Sequence, residues 1–312
     1  MPQTLIPPVS LDEYSFEQMI AQLGQLTRDA GTINVDLGRL EFVDPYGMTG
    51  ILLLGHHLTQ QGRKLLLHLP LSMEVQRCLD QMGFFRYLTE FYRMYPPYRP
   101  PAARASLAGR QVDRHGLSEA ILEITRIAQG DNVTAMVRKI EKQAGSIFET
   151  CPRDEDWWRG FLGVLSEISH NIIQHSGNTG FVGIQRCSDE TRQGKNVVRI
   201  AAMDLGIGFR KSLELRCGLQ YGENWSDLVA LEEALLHDTL RDPTTDREHG
   251  LSAAKYFVQR WGGMLSVRSG TAKLSLFPDR ERGRERETCR RDRETGLSEF
   301  PGVQISLTLP EM

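Results

Sequence analysis

Three short groups of residues in the C-terminal half of the chain have types and spacings that suit the binding of a ligand. In the first, LSEISHNIIQHSG, the polar residues Glu167, Asn171 and His175 recur every four residues and lie on one face of a predicted helix. An adjacent apolar stripe would hold that helix against a core; it comprises Phe161, Leu165, Ile168 and Ile172. Polar groups in register beside a buried stripe are what a site needs, but an ordinary half-exposed helix face has the same pattern.

The second group combines a carboxylate with two glycines at the end of a predicted strand. Asp204, Gly206 and Gly208 follow the apolar run VVRIAAM. The carboxylate is placed to accept a hydrogen bond from an exocyclic amine, and the glycines leave room for a base and phosphates to approach the backbone. The spacing differs from the dinucleotide pattern G-x-G-x-x-G. An ordinary strand-to-loop turn is the alternative.

The third group begins a predicted helix. His249, Gly250 and Leu251 precede the helical pattern in REHGLSAA. The first N–H groups of a helix have no intrahelical partner and form the positive end of its dipole, so they can bind an anion. A common helix start without any ligand has the same sequence pattern.

The elements that would position these groups are predicted from hydrophobic periodicity. In the C-terminal half we predict helices over 154–176, 226–240 and 251–262, and strands over 180–186, 197–205, 264–268, 273–277 and 303–309. Seven arginines and six acidic residues fill the segment 279–296, which we expect to be a solvated hairpin insertion between the last two strands.

The first hundred residues alternate between the two periodicities. The pattern predicts helices over 16–26, 45–61 and 72–82 and strands over 32–37 and 64–69. Strands that alternate with helices in this way imply βαβ units and a sheet covered by helices. The segment YPPYRPP then predicts an extended linker at about 94–115, followed by helices over 117–127 and 133–148.

Composition excludes several classes of protein. The 312 residues are 40% hydrophobic and 25% charged, which is typical of a globular protein and long enough for two domains. A formal charge of −3 gives no electrostatic case for a nucleic-acid partner. Five cysteines without a C-x-x-C predict neither a zinc site nor a disulfide framework. Without a secretory signal or an apolar run near 20 residues, we expect a cytoplasmic protein with no membrane partner.

In this order and spacing, the three groups resemble the GHKL superfamily of ATP-binding domains, which includes gyrase, Hsp90, histidine kinases and MutL. Glu167-x3-Asn171 resembles the asparagine box, Asp204-x-Gly206-x-Gly208 the first glycine box, and the residues at 249–251 the second glycine box. The closing segment PGVQISLTLP resembles the last strand of that fold. The resemblance implies an α+β Bergerat-fold sandwich over 151–312, with a mobile lid within 209–249.

The resemblance also implies a role for each matching residue, with ATP and Mg²⁺ as cofactors. Asn171 would coordinate Mg²⁺ through its side-chain oxygen. Glu167 would be the general base that acts on water or on a substrate hydroxyl. Asp204 would accept a hydrogen bond from adenine N6. The other residues expected to contact the nucleotide are Gly206, Gly208, Gly250, Leu251, His249 and His175.

Three features depart from the superfamily pattern. The second glycine box contains the single Gly250, and the usual Gly-Thr before the last strand is replaced by Gly302-Val303. Val303 cannot donate to a water beside the adenine, so Gly270-Thr271 is an alternative supplier of that group. No H-E/D-x-x-x-P phosphoacceptor pattern precedes the domain, so we do not expect a sensor histidine kinase.

The N-terminal segment INVDLGRLEFVDPYGMTGILLLGHHL, followed by GRKLLLHLP, resembles a STAS domain, the fold of anti-sigma factor antagonists. This resemblance implies an α/β domain over 1–95 and leaves 96–150 as a proline-rich linker with connector helices. In the antagonists a phosphorylatable Ser or Thr lies two residues after the Asp that ends a strand. In this chain Asp44 is that Asp, and Tyr46 occupies the phosphorylatable position.

The combination of the two resemblances implies a function. STAS antagonists bind GHKL serine kinases of the anti-sigma type, so one chain that contains both is expected to be an ATP-binding regulator of the partner-switching kind. Its activity would be that of an Mg-dependent ATPase or a protein serine/threonine kinase. The STAS-like domain would dock on its own ATPase domain or on that of a second copy in a homodimer. The alternatives are a non-catalytic nucleotide-binding scaffold and a nucleic-acid motor, but a motor would need a transducer domain and a basic stripe.

Overall fold

The computed structural model of the chain describes residues 3–26, 31–98, 119–147, 155–176, 180–189, 195–236, 251–278 and 289–310. These residues form a mixed α/β structure that contains a four-stranded parallel sheet, a separate pair of parallel strands and a five-stranded antiparallel sheet. Within these ranges, no helix combines the length and the apolar character needed to cross a membrane.

Among the described residues, the N-terminal part contains a four-stranded parallel sheet, a second pair of parallel strands and four helices. The strands of the sheet are β1 (Gln3–Leu5), β3 (Thr32–Asp36), β5 (Lys64–His68) and β6 (Arg93–Tyr95), whereas β2 (Ser10–Leu11) and β4 (Phe42–Val43) form a separate parallel pair. The helices are α1 (Glu13–Gly24), α2 (Pro45–Gln60), α3 (Met73–Gln81) and α4 (Phe84–Leu88). The strand order β1-β3-β5-β6, parallel throughout, confirms the predicted βαβ units.

The capping residues explain where two of these helices begin. Asp44 accepts a hydrogen bond from the backbone N–H of Gly47 at 2.9 Å, and Pro45 occupies the first position of α2. Ser72, the predicted N-cap of α3, accepts from the N–H of Val75 at 3.4 Å. Side-chain oxygens therefore satisfy amides that have no partner within the helix.

The C-terminal part is an antiparallel sheet with helices packed on it. The strands are β7 (Glu119–Ile127), β8 (Gly180–Asp189), β9 (Lys195–Asp204), β10 (Met264–Pro278) and β11 (Cys289–Pro310). The helices are α5 (Gly130–Ile147), α6 (Glu155–Ser176), α7 (Gly208–Leu213), α8 (Leu219–Tyr221), α9 (Asp227–Leu236) and α10 (Ser252–Trp261). A π-helical turn, Glu214–Gly218, connects α7 to α8. The strand order is β10-β11-β9-β8-β7.

The predicted connector helix over 117–127 is wrong, because the described residues of that segment form β7. The sequence EAILEITRI has apolar residues at spacings that fit either element, but its isoleucines and threonine favour a strand. Pairing with β8 decides between the two. Strand β7 belongs to the C-terminal sheet, and α5 packs in its hydrophobic core. The segment predicted as connector helices is therefore part of the C-terminal half.

The last two strands are longer than predicted. β10 continues through Gly270 with a shift in register, so the strands predicted over 264–268 and 273–277 are one. β11 begins at Cys289 instead of 303 because the arginine-rich arm pairs with β10, with Arg290 opposite Phe277. The side chains of 290–296 are largely exposed, as expected for a solvated hairpin; residues 279–288, like most of the predicted linker, lie outside the described residues.

The antiparallel sheet is covered on both faces, because its side chains alternate between two hydrophobic cores. On β9, Val198, Ile200 and Ala202 pack with α6 and α10. Ala201 and Met203 point the other way and pack with the N-terminal helices α1 and α2. The N-terminal part therefore docks on the C-terminal sheet of the same chain.

Ion pairs cross this contact between the two parts. Arg199 Nη1 lies 2.9 Å from Asp44 Oδ2, and Arg268 Nε lies 2.6 Å from Glu17 Oε1. Burial raises the pKa of Asp44 to about 6, although the Arg199 guanidinium opposes that shift. The contact is thus polar as well as apolar.

Tyr46, the residue that the STAS resemblance would place at the phosphorylatable position, is buried in the same contact. Its side chain is 2% exposed, and its hydroxyl has no hydrogen-bond partner within the described ranges. Burial and the nearby carboxylate of Glu13 raise the pKa of the phenol. A buried hydroxyl without a partner lowers stability because it has lost its hydrogen bonds to water.

We expect the substitution Tyr46→Phe to raise the free energy of unfolding by about 1 kcal/mol, since it removes an unsatisfied buried hydroxyl. Tyr92→Phe is the matched control, because Tyr92 is also buried but donates its hydroxyl to Ile51 O at 2.9 Å. That variant should lose about 1 kcal/mol. Urea denaturation of both variants measures the difference, and a destabilised Tyr46→Phe chain would contradict the prediction.

Candidate functional site

A small cavity lies between α6, β9, α7 and β11. Its polar lining consists of Asn171, Asp204 and Ser212, with Gly208 beside them. Its apolar lining comprises Ile168, Ile172, Ala202, Phe209, Val303 and Ile305. The cavity volume is about 10 Å³, roughly the space needed by one water molecule. Residues from two of the three predicted groups therefore meet at one place.

Helix α6 contributes Asn171 to the cavity. The predicted apolar stripe of this helix is confirmed, since all four of its residues are buried in the core. Asn171 is half-buried, and its amide nitrogen Nδ2 is shielded from solvent without an acceptor among the described residues. Glu167 lies one turn earlier, with both carboxylate oxygens shielded from solvent. His175 lies in the last turn of α6, and its side chain falls outside the description.

Asp204 ends β9 and is the acidic group of the cavity. Its side chain is 4% exposed, and Oδ1 accepts a hydrogen bond from the N–H of Gly206 at 2.6 Å. Burial raises the pKa of Asp204 to about 7, whereas hydrogen bonds from the backbone of Gly206 and Val303 act in the opposite direction. Near neutral pH, the carboxyl group therefore exists in both protonation states.

Two glycines allow the backbone to approach closely around Asp204. Gly208 has a φ of 72°, and an added Cβ would lie 2.8 Å from Ser269 Oγ, which accepts from the N–H of Phe209. Gly302 has a φ of 82°, and an added Cβ would overlap the backbone of Asp204. Both positions require glycine for conformational and steric reasons.

Val303 and Thr271, the two residues considered for the role of the usual threonine, have different environments. Val303 lines the cavity as an apolar residue. Thr271 donates from its backbone N–H and its hydroxyl to Asp227 Oδ2, at 2.9 and 2.7 Å, and does not line the cavity. That Gly270-Thr271 supplies a group to the site therefore stays a prediction, which the lining of the cavity does not support.

Parts of the predicted second glycine box and lid fall outside the description. His249 and Gly250 lie in the segment 237–250, for which no structure is described. Leu251 precedes α10 with its side chain fully buried in the core, so only its backbone is suited to contact a ligand. The described part of the predicted lid, 209–236, consists of α7, α8, α9 and the turns between them.

Sequence reasoning missed two residues near the site. Ser212 lines the cavity one turn after Gly208, but the sequence assigned it to a lid without a role. Gln304 donates from Nε2 to the backbone oxygen of Asp204 at 3.3 Å. Ser212 belongs to no motif. Gln304 lies in the closing segment PGVQISLTLP, where the alternation of β11 turns its side chain away from that of Val303 and is the only signal for it.

We expect Gly302→Ala to destabilise the chain by at least about 3 kcal/mol, because left-handed strain of 1–2 kcal/mol adds to overpacking against Asp204. Gly296→Ala is the matched control. Gly296 also lies in β11, with a φ of 73°, but nothing lies within 4 Å of its added Cβ. That variant should lose only the strain component. Chemical denaturation tests the pair, and equal losses would contradict the predicted overlap.

Comparison with known proteins does not assign the chain to a family. No protein-family model matches the chain, and no curated protein matches it significantly. The GHKL and STAS resemblances therefore remain expectations from motifs, and the cavity and its residues are the basis for inferring a function.

Proposed function

We propose that the chain is an ATP-binding regulatory protein of the partner-switching type, with a GHKL-like ATP-binding half and a STAS-like regulatory half. The observation that carries this proposal is the meeting of Asn171, Asp204 and Gly208 in one cavity. These residues come from two separate motifs and from three different elements. An accidental match of motifs gives no reason for Asn171 to lie in the same cavity as Asp204 and Gly208.

The chemistry of the cavity suits an adenine base. Asp204 offers a buried acceptor for an exocyclic amine, and apolar side chains such as Ile172 and Val303 suit the faces of a planar ring. Asn171 offers an amide oxygen for Mg²⁺, and its unsatisfied Nδ2 marks a polar group that lacks a partner. When bound, ATP would supply the phosphoryl group for hydrolysis or transfer.

The volume of the cavity sets a condition on binding. Ligand pockets usually enclose about 300–1,000 Å³, whereas this cavity measures about 10 Å³. Its walls must therefore separate before a base can enter. The wall formed by α7 is the natural one to move, because a short helix and a π-helical turn follow the glycine pair.

The chain's own residues would then perform distinct tasks. Asp204 would orient the base, and Asn171 would hold the metal beside the phosphates. Glu167, one turn before Asn171, would take a proton at a carboxylate oxygen from water or from a substrate hydroxyl. The apolar lining would exclude bulk water.

The raised pKa of Asp204 predicts a pH dependence. Because the ionised carboxylate is the better acceptor for an amine, ATP affinity should increase by about tenfold between pH 6 and pH 8, as Asp204 with a pKa of about 7 loses its proton. Without ligand, the raised pKa of Asp204 lowers the free energy of unfolding as the pH rises from about 4 to 7. Over that range the carboxyl group is ionised in the unfolded chain but still protonated in the folded chain. Calorimetry across pH tests this, with Asp204→Asn as the control that corrects for titration of the nucleotide. If the ATP affinity of Asp204→Asn changed with pH in the same way as that of the wild type, the prediction would be contradicted.

The second candidate function is a non-catalytic nucleotide-binding scaffold that acts through its STAS-like surface. Val303 at the cavity wall and the small volume favour this candidate. Calorimetry of the wild-type chain with ATP and Mg²⁺ tests nucleotide binding, and the absence of heat at high concentration would contradict it. Phosphate release, measured with and without candidate partners, then separates the enzyme from the scaffold.

A regulatory role for the N-terminal half is supported by its position. Ala202 and Asp204 line the cavity on one face of β9, whereas Ala201 and Met203 pack against α1 and α2 on the other. Tyr46 is buried on the second face, away from the site where a phosphoryl group would be transferred. We therefore propose that docking regulates the ATP site and does not present Tyr46 as its substrate.

A further inference from the structure

A chain of hydrogen bonds connects the N-terminal helix α1 to the backbone of Asp204. Arg268 donates from Nε to Glu17 Oε1 at 2.6 Å and from Nη1 to Gln304 Oε1 at 3.3 Å. Gln304 in turn donates from Nε2 to Asp204 O at 3.3 Å. Arg268 and Gln304 are both 0% exposed, so water does not compete for these hydrogen bonds.

Arg268 also holds the turn within β11, residues 298–302, which directly precedes the cavity wall at Val303. Its guanidinium donates to the backbone oxygens of Ser298 and Phe300, the latter at 3.4 Å, and lies over the Phe300 ring at 5.9 Å. This turn carries Gly302 against Asp204, and Val303 follows it into the cavity. The position of the Arg268 guanidinium therefore determines where Gly302 and Val303 lie relative to Asp204.

The buried charge of Arg268 depends on Glu17. A buried guanidinium is tolerated when a carboxylate pairs with it and its other donors are satisfied. Burial raises the pKa of Glu17, and the charge of Arg268 opposes that shift, which is the behaviour of a buried ion pair. If α1 left the sheet, Arg268 would lose its carboxylate and be exposed to solvent, and its hold on the turn would weaken.

We propose that Glu17, Arg268 and Gln304 are positioning residues for Asp204, so that nucleotide affinity depends on the docking of α1 against β10. This inference rests on the proposed function, because it concerns the same site. It identifies the route by which the N-terminal half controls the nucleotide. By linkage, nucleotide binding strengthens the docking of α1 by the same factor.

The test compares two carboxylates on one helix in the full-length chain. Glu13 lies one turn before Glu17 and also crosses the contact, but its partners are Ser266 Oγ and Lys273 Nζ, the latter at 3.5 Å. These residues have no bond to the turn or to Asp204 in the described part of the chain. Glu13→Ala therefore removes a comparable contact without breaking the chain of hydrogen bonds.

Calorimetry with ATP and Mg²⁺ gives the first readout. Glu17→Ala should weaken binding by about tenfold, within the usual range of coupling between sites, whereas Glu13→Ala should bind as the wild type does. Glu17→Gln should recover part of the affinity, because an amide oxygen still accepts from Arg268 Nε. The second readout is the pH midpoint of binding, which should rise in Glu17→Ala, since the N–H of Val303 would no longer be held against the Asp204 carboxylate.

The outcomes separate this inference from the proposed function. A wild-type chain that gives no heat overturns both. A wild-type chain that binds ATP, together with Glu17→Ala and Glu13→Ala variants of equal affinity and equal pH midpoint, overturns this inference alone. If thermal denaturation shows that Glu17→Ala is unfolded, the comparison of Glu17→Gln with Glu13→Gln decides in the same way, since each keeps an acceptor at its position.

Discussion

The substitution Asn171→Ala is expected to abolish the binding of ATP with Mg²⁺. Asn171 is the polar residue that α6 contributes to the cavity, and its buried Nδ2 has no acceptor among the residues described. Loss of an outer-shell group alone costs 10–100-fold in metal affinity, so loss of a direct ligand is expected to cost about 100-fold or more. Calorimetry with ATP, at a fixed excess of Mg²⁺, measures the effect.

Two controls make this result specific to the site. Gln174→Ala changes an exposed amide three residues further along α6, and should bind ATP as the wild type does. Thermal denaturation of Asn171→Ala should show a stability no lower than that of the wild type, because the amide has an unsatisfied donor. An Asn171→Ala chain with wild-type affinity would show that this residue does not hold the metal.

The substitution Glu167→Gln is expected to leave ATP binding intact and to reduce turnover by about 100- to 10,000-fold, the usual contribution of a general base. Glutamine keeps the size of the side chain but cannot take a proton at neutral pH. Glu167 lies one turn before Asn171 and therefore on the same face of α6, although it is not among the residues that line the cavity. The two variants should therefore separate binding from chemistry.

Phosphate release and calorimetry on the same samples test this separation. Ser166→Ala is the control on the adjacent position of α6, where the hydroxyl contacts His170 at 3.3 Å on the exposed side of the helix. It should retain both binding and turnover. Wild-type turnover in Glu167→Gln would contradict the assigned role, and a parallel loss of binding would indicate that Glu167 holds the ligand.

The helix that carries these residues was predictable because its signals are local. A spacing of four residues places Glu167 and Asn171 on one face of the helix. The neighbouring apolar stripe packs in the core and thereby fixes the orientation of that face. The same reasoning located β9 and the glycine pair after Asp204. These features depend on residues within a few turns of one another.

The segment 117–127 shows where local reasoning fails. Its apolar spacing suits a helix as well as a strand, and a partner strand that lies more than fifty residues later decides the outcome. Val303 is a second example, because its residue type indicated a departure from the family pattern while its contact with Asp204 depends on the turn that Arg268 holds.

The sequence by itself determined helix α6, strand β9 and the order of the motifs, and it identified three of the residues that line the cavity, namely Asn171, Asp204 and Gly208. Tertiary structure alone decided that α1 and α2 cover the second face of the antiparallel sheet, that Tyr46 is buried there and that Glu17 pairs with Arg268. The physical reason is range. Periodicity and capping act between near neighbours, whereas the Glu17–Arg268 pair joins residues 251 positions apart, whose meeting follows from the docking of two sheets and their helices.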